Sequence, residues 1–333
     1  MMVPLTSTVP FMALPGNHEV EYDGRDASKV MVHYSKRFRF PGSYAHASAA
    51  AAVGRGTLPG QQSGYHYAWD IEYEGGSSYY SFDAGLVHFL SLNTYNTHSS
   101  GPGSPMYDFA DEDLASVDRR KTPWVLVGMH APFYNSNTAH RPEEEAATAL
   151  LKAHFEPLFV KHKVNFVFAG HVHAYERTHA VASGTRSANG AGPVYVNVGD
   201  GGNYEKLAET WMDPQPDWSA VRDADYYGYG LFRVFNASCA EWDWRPNPEG
   251  SERRPGGGNF NNGTSVDRFL VSRNYAVPPG GALGNPTAMA LGVLATCIAI
   301  ASISAVYYFF LRHRHAVFAR NGTDASGSFT RLP

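Results

Sequence analysis

Cysteine is scarce in this sequence, and neither sign of charge is in strong excess. Only Cys239 and Cys297 occur among the 333 residues, which excludes a disulfide framework and says little about the cellular compartment. The formal net charge is −4 and both signs are mixed along the chain, so the composition gives no case for binding nucleic acid. The length leaves room for one large domain or two small ones.

Charge is also absent from one long run near the C-terminus, residues 288–311. At about 1.5 Å per residue, a helix of this length exceeds the roughly 30 Å hydrocarbon core of a bilayer. A buried core helix is the alternative, but such helices rarely run this long without a charge. Three arginines follow the run and mark the cytoplasmic end of a span, Arg312, Arg314 and Arg320. We therefore predict a linker at 276–287, a single transmembrane helix at 288–311 and a cytoplasmic tail at 312–333.

This orientation places residues 1–275 outside the cytosol, at the cell surface or in a secretory or lysosome-like compartment. Asn236 and Asn262 each begin an Asn-x-Ser/Thr tripeptide and are then predicted glycosylation sites. The first residues lack the basic and long apolar regions of a signal peptide. A lumenal domain needs a route across the membrane, so we expect further sequence upstream of Met1.

The most informative motif is Gly170-His171-Val172-His173. It follows an apolar run at 164–169, a pattern typical of a buried strand that ends in a glycine turn. Successive strand residues point to opposite faces, but a turn lets the two histidines converge. Two imidazoles at a strand end are suited to binding adjacent metal ions.

Two more segments repeat this arrangement of an apolar run followed by a histidine. Asn17 and His18 follow the strand-like run 9–14, and His130 follows the run 124–129. Three such units indicate a site assembled at one edge of a sheet.

The remaining elements alternate between helices and strands. Helices are predicted at 27–40, 108–120 and 143–163, the last with acidic residues first and lysines last, as the helix dipole favours. Strands are predicted at 65–73, 79–83, 87–93, 164–169, 194–198, 231–235, 241–245 and 268–272. This alternation favours an α/β core.

Three histidine-bearing segments, taken in order, resemble the last three of five signature blocks of the purple acid phosphatases, which are calcineurin-like metallophosphoesterases. They are Gly16-Asn17-His18-Glu19, Val127-Gly128-Met129-His130 and Gly170-His171-Val172-His173. The similarity runs from about residue 9 to about residue 275, within a predicted domain at 1–275 whose part at about 192–275 is the family's C-terminal segment. It implies an α/β fold of two packed sheets flanked by helices.

The resemblance also implies a dinuclear metal centre, Fe(III) paired with zinc, manganese or Fe(II). Three residues match the ligands of the divalent ion, Asn17, His130 and His171, while His173 matches a ligand of the ferric ion. His18 and His140 match histidines that contact phosphate, where they donate to phosphoryl oxygens or protonate the leaving group. Many plant relatives carry a second histidine at the position of Ala139, so one substrate contact is absent here.

The family's first two blocks, D-x-G and G-D-x-x-Y, supply the remaining carboxylate and tyrosinate ligands. They should precede Gly16 by several tens of residues, but residues 1–15 contain no Asp, Glu or Tyr. We therefore expect a fold without its first strands and a chain that, as written, has little acid phosphatase activity.

The resemblance implies hydrolysis of phosphate monoesters at acid pH, with a phosphate ester as substrate. One alternative is a catalytically inactive, membrane-tethered ectodomain that acts in binding or scaffolding. Another is a phosphodiesterase of the same superfamily, which would keep the metals and change the substrate.

Overall fold

A computed structural model describes most of the region that precedes the predicted linker. The described residues are 10–20, 31–40, 53–54, 71–72, 77–96, 100–187, 190–202, 204–247 and 266–272. Every helix and strand among the described residues lies in the first of two compact units, Met1–Val271, apart from the final residue of the last described strand. The predicted linker, transmembrane helix and tail lie outside the described residues. Within the described part of the chain, no helix is long and apolar enough to cross a bilayer.

The described helices are short and few, and the strands dominate. A 3₁₀ turn at Asn17–Glu19 precedes α1 (Val32–Arg37), α2 (Pro105–Ser116) and α3 (Ala146–Lys161). The strands are β1 (Val53–Gly54), β2 (Ile71–Glu72), β3 (Tyr80–Ala84), β4 (Val87–Ser91), β5 (Trp124–Gly128), β6 (Phe166–Ala169), β7 (Tyr175–Ala182), β8 (Thr185–Arg186), β9 (Val194–Val198), β10 (Ser219–Asp223), β11 (Tyr227–Val234), β12 (Cys239–Asn247) and β13 (Asp267–Ser272).

A mixed sheet forms the centre of the fold. Its strands lie in the order β10-β7-β9-β6-β5-β4-β3, with β8 paired to β7. The four central strands β4, β5, β6 and β9 are parallel, and antiparallel strands flank them on both sides. Since parallel strands share one direction, their carboxyl ends meet at a single edge of the sheet.

The period of two along these strands divides the core between two faces. Val125 and Val127 of β5 pack with α2 and α3, whereas Leu126 between them packs against the second sheet. The same alternation places Val167 of β6 on the helical face and Phe166 on the opposite one. Both faces of the central strands are therefore covered, as parallel strands require.

The second sheet, β11-β12-β13, supplies the outer β layer through aromatic side chains. Phe166 and Phe232 meet edge to face with ring centroids 5.1 Å apart, and Tyr175 stacks on Trp244 at 4.4 Å. The predicted α/β architecture of two packed sheets with helices outside is confirmed.

The first predicted strand is wrong. Residues 10–16 run beside the fold without regular secondary structure. Pro10 and Pro15 have no N–H to donate to a ladder. The Ala13 carbonyl instead accepts hydrogen bonds from the hydroxyls of Tyr34 (3.0 Å) and Tyr80 (2.7 Å), which hold the segment in place.

Other boundaries differ from the predictions by a few residues. The helix predicted at 27–40 is described only from Val32 to Arg37, and residues 21–30 lie outside the described part. The helix predicted from 108 begins earlier, because Pro105 can occupy the first turn, where no N–H is needed. β7 and β10 were not predicted at all. β7 carries Glu176 and Arg177, which are charged but buried. Charged residues in a sequence do not indicate a buried strand, so β7 was missed.

Candidate metal-binding cleft

The candidate site lies where the parallel strands β5 and β6 end. His130 is two residues beyond β5, and the His171 segment begins just beyond β6. The His130 carbonyl accepts hydrogen bonds from the backbone N–H groups of Gly170 (3.0 Å) and His171 (2.9 Å). These bonds fix the two histidine-bearing loops against each other at the sheet edge.

Asn17 reaches this edge from a separate segment. Its Oδ1 lies 2.9 Å from Nε2 of His130, and the Asn17 side chain is buried. The approach is close, since a Cβ on Gly16 would lie only 2.9 Å from Cε1 of His130. Glu19 accepts a hydrogen bond from the Gly16 N–H at 2.8 Å and stabilises the turn that presents Asn17.

His171 lies at the centre of the histidine cluster. Its ring centroid is 5.0 Å from that of His130 and 3.9 Å from that of His140. Tyr95, which is buried, lies beside both inner histidines, with its ring centroid 5.9 Å from His130 and 6.5 Å from His171. The cluster therefore has a protein-covered side at Tyr95 and an open side at His140, which is exposed.

Glu145 joins the cluster although the sequence did not single it out. Its Oε1 lies 2.9 Å from Nδ1 of His140 and 3.4 Å from Nε2 of His171. Among the described residues, these three are the one group of His, Cys, Asp or Glu whose ligand atoms all lie within 4.8 Å of one another.

His173 and His18 lie at the rim. His173 is half-buried, with Nδ1 at 3.8 Å from a carboxylate oxygen of Glu205, and its carbonyl accepts the Ala208 N–H at 2.9 Å. His18 is exposed. The structure therefore brings Asn17, His130, His140 and His171 together, and leaves His173 outside the tightest group.

Burial sets the protonation of the inner histidines. It lowers the pKa of His130 well below the usual value, and the neighbouring histidines add to the effect. Burial also lowers the pKa of His171, against the opposing influence of Glu145. Burial alone would raise the pKa of Glu145, but hydrogen bonds from His140 and His171 outweigh it and lower that pKa to about 2. These shifts favour neutral imidazoles at His130 and His171 and an ionised carboxylate at Glu145, the protonation states in which such groups bind metals.

Hydrogen bonds from an asparagine amide and to a buried carboxylate shape the loop from His130 to His140. Asn135 Nδ2 donates to the carbonyls of Ala139 (2.7 Å) and His140 (3.1 Å). The buried Glu176 of β7 accepts from the N–H (2.8 Å) and Oγ (2.5 Å) of Ser136. These bonds hold His140 in its left-handed backbone conformation (φ 52°) over the cleft.

Sequence reasoning missed Glu145 and Tyr95. Glu145 is the last of three consecutive glutamates before α3, and nothing in the sequence distinguishes the one that turns inward. Tyr95 belongs to no recognised block. Asn236, predicted to be glycosylated, lies in the turn between β11 and β12, while Asn262 is outside the described residues. Glycosylation of both stays a prediction.

Comparison with known families gives two matches along the chain. The calcineurin-like phosphoesterase family matches residues 1–175. The family described as iron/zinc purple acid phosphatase-like protein C matches residues 192–252. The two matches follow each other in order along the chain.

Plant proteins are similar over most of the chain. "Probable purple acid phosphatase 20" of Arabidopsis thaliana is 38% identical over 75% of this chain and 50% of its own length. "Phosphoenolpyruvate phosphatase" of Allium cepa is 34% identical over 80% of this chain and 48% of its own. The chain spans about half the length of these curated relatives.

A solved structure shares the fold. Purple acid phosphatase PPD1 from yellow lupin (Lupinus luteus) seeds superposes with a TM-score of 0.59 at 24% identity, covering 85% of this chain and 45% of that one.

Proposed function

Because the chain belongs to the calcineurin-like phosphoesterase family, we propose that it carries the divalent-metal half of an acid phosphatase centre for phosphate monoesters. The observation that supports this most is the convergence of His130, His171 and Asn17 at the edge formed by parallel strands. The similar plant proteins are named as purple acid phosphatases, and that family implies a dinuclear centre containing iron.

The donors that converge fit one divalent cation. Neutral imidazoles from His130 and His171, with the amide oxygen of Asn17, are ligands that zinc, manganese or ferrous iron accept. The 2.9 Å between Asn17 Oδ1 and His130 Nε2 is close to the spacing of two ligand atoms on one ion. On the ferric side, the described residues offer only His173 with Glu205 nearby, a poor set for a hard trivalent ion.

A bound divalent cation would supply positive charge to phosphoryl oxygens and lower the pKa of a coordinated water. The chain's own residues supply the rest. His18 and His140, both on the open side, are placed to donate hydrogen bonds to phosphoryl oxygens or a proton to the leaving group. Buried Tyr95 lies beside His130 and His171 on the inner side of the cleft.

The test is hydrolysis of p-nitrophenyl phosphate at acid pH by the 333-residue chain supplied with zinc. We expect slow, metal-dependent turnover, because ligands for only one ion converge among the described residues. His171→Ala should lower kcat/KM at least about 10-fold, since it removes a ligand worth more than about 1.4 kcal/mol. His33→Gln, which changes an exposed histidine on α1, should leave the rate unchanged. Turnover that survives in His171→Ala would contradict the proposal.

The same assay separates the two rival functions. A phosphodiesterase would prefer bis(p-nitrophenyl) phosphate over the monoester. A binding or scaffolding ectodomain would hydrolyse neither substrate, whichever divalent metal is supplied. We expect the monoester to be preferred.

Attachment to a membrane through residues 288–311, with the globular part outside the cytosol, is a further part of the proposal. It is supported by the uncharged run and the arginines that follow it. In protease protection of intact vesicles, a tag placed after Pro333 should be digested from the cytosolic side. A protected tag would contradict this orientation.

A further inference from the structure

A buried asparagine on β9, Asn197, lies next to the turn that carries His171 and His173. We propose that Asn197 is a positioning residue, whose side-chain amide holds this turn and so fixes the two histidines relative to His130. The inference rests on the proposed function only in taking His171 as a metal ligand. Neither the histidine motifs nor the resemblance suggested a role for Asn197.

The amide of Asn197 joins both ends of the turn. Its Nδ2 donates to the Val172 carbonyl at 2.8 Å and to the Ala174 carbonyl at 2.6 Å. The Ala174 N–H also donates to the Val172 carbonyl, at 2.7 Å, and closes a three-residue turn centred on His173. One side chain therefore restrains the residues on either side of His173.

A primary amide is the side-chain group that suits this position. It offers two N–H donors, and both are used on the turn. The orientation of the amide is also determined, because the opposite orientation would place Oδ1 against two carbonyl oxygens. Among the described residues, no donor bonds Asn197 Oδ1, so the hydrogen bonds of this buried side chain all restrain the turn.

Backbone hydrogen bonds hold the rest of the segment. The His171 N–H donates to the His130 carbonyl at 2.9 Å, and the His173 carbonyl accepts the Ala208 N–H at 2.9 Å. These bonds fix the two histidines at their own backbones, while the Asn197 amide fixes the residues beside them. Since a functional side chain must be held within about 0.5 Å of its working position, loss of the amide should displace both histidines.

A purely structural role is the alternative, in which Asn197 stabilises the end of β9 without a specific effect on the cleft. Asn165 offers a matched control, because it lies just before β6, at the edge of the sheet opposite the cleft. Its Oδ1 accepts the Val125 N–H at 2.8 Å and a guanidinium N–H of Arg119 at 3.3 Å. Asn165 thus also makes two side-chain hydrogen bonds, but far along the strands from the histidines.

The test compares Asn197→Val, Asn197→Thr and Asn165→Val in the full 333-residue chain. Valine removes both donors, whereas threonine has the shape of valine and keeps one hydroxyl donor. Both residues are favoured in strands, so the variants should fold.

Amide hydrogen exchange in the presence of chelator reports the turn without any metal. In Asn197→Val, we expect exchange at Gly170 and His171 to be about 10-fold faster, the factor that a lost buried hydrogen bond is worth. In Asn165→Val, exchange at these two amides should equal wild type, and the faster exchange should occur at Val125 instead.

Cobalt(II), added alone to the chelator-treated chain, then reports the histidines, because its visible absorption depends on its coordination. Asn197→Val should bind cobalt at least about 10-fold more weakly than wild type and with a changed spectrum, a loss typical when a residue that orients metal ligands is removed. Asn197→Thr should lie between Asn197→Val and wild type. Asn165→Val should match wild type in affinity and spectrum.

Wild-type exchange at the turn together with wild-type cobalt binding in Asn197→Val would overturn the proposal. An equal loss of cobalt affinity in Asn165→Val would also overturn it, because that result would mark a loss of stability alone. If the wild type neither binds cobalt nor hydrolyses the ester, the proposed function fails, and the exchange rates at the turn still decide the role of Asn197. If the wild type hydrolyses the ester while Asn197→Val matches it in exchange and cobalt binding, this inference fails and the proposed function stands.

Discussion

At the scale of single residues, the surroundings of the histidines shift their pKa values in opposite directions. His171 is buried and His130 is half-buried among other histidines, and the pKa of each is lowered, chiefly by loss of solvation. His88 is also buried, but Asp83 Oδ1 lies 2.7 Å from Nδ1 and Asp113 Oδ2 lies 2.8 Å from Nε2. Burial acts against its charge, yet the two carboxylates outweigh it and raise the pKa of His88.

A raised pKa in the folded state makes stability depend on pH. His88 should contribute most below its unfolded pKa of about 6.5, and the contribution should be lost as pH rises through the higher folded pKa. In urea unfolding, the excess stability of wild type over His88→Gln should therefore shrink from acid to alkaline pH. His33→Gln serves as the exposed control and should show no such trend. An excess that stays constant or grows with pH would refute this account of His88.

The sequence could predict which histidines meet, but not which acid joins them. Asn17, His130 and His171 each follow an apolar run or a recognised block, so their positions carry a signal. The position of Glu145 carries no such signal in the sequence. The inward orientation of its carboxylate depends on the left-handed backbone of His140 and on the hydrogen bond from Thr148. Both conditions arise from tertiary contacts.

At the scale of elements, short apolar strands were predicted from the sequence, whereas a strand with charged residues was not. β6 and β9 are short apolar runs bounded by polar residues, and both were predicted, β9 at its described bounds. β7 was missed because Arg177 is charged yet buried. Its guanidinium Nε lies 2.6 Å from Oδ2 of Asp267 on β13, so the pair removes the cost of burying either charge alone. Sequence polarity cannot reveal such a partner.

The strand predicted at 9–14 was wrong for the opposite reason. Its residues favour a strand, but Pro10 and Pro15 interrupt hydrogen bonding, and two tyrosine hydroxyls from α1 and β3 occupy the Ala13 carbonyl. The segment nonetheless delivers Asn17 to the cleft. Its functional placement was therefore predicted although its secondary structure was not.

At the scale of the whole molecule, the site exists only because distant segments meet at one edge. The helical layer, the central sheet and the aromatic second sheet fix the strand ends, and three loops from separate parts of the chain then project onto them. At this edge Gly199, just after β9, lies close to the Val172 carbonyl oxygen. A Cβ at residue 199 would overlap that oxygen, so the close approach requires glycine. The chain spans about half of its relatives' length, and within the described residues ligands converge for one ion.

The measurement that tests this central claim most directly is anomalous X-ray scattering at the zinc edge, from crystals of the chain grown with zinc. We predict a peak about 2.0–2.2 Å from a ring nitrogen of His171, with His130 and the amide oxygen of Asn17 in the same coordination sphere. At saturating zinc, the absence of any peak at His171, with zinc found only on exposed histidines such as His33, would contradict the assignment of this cleft as a metal site.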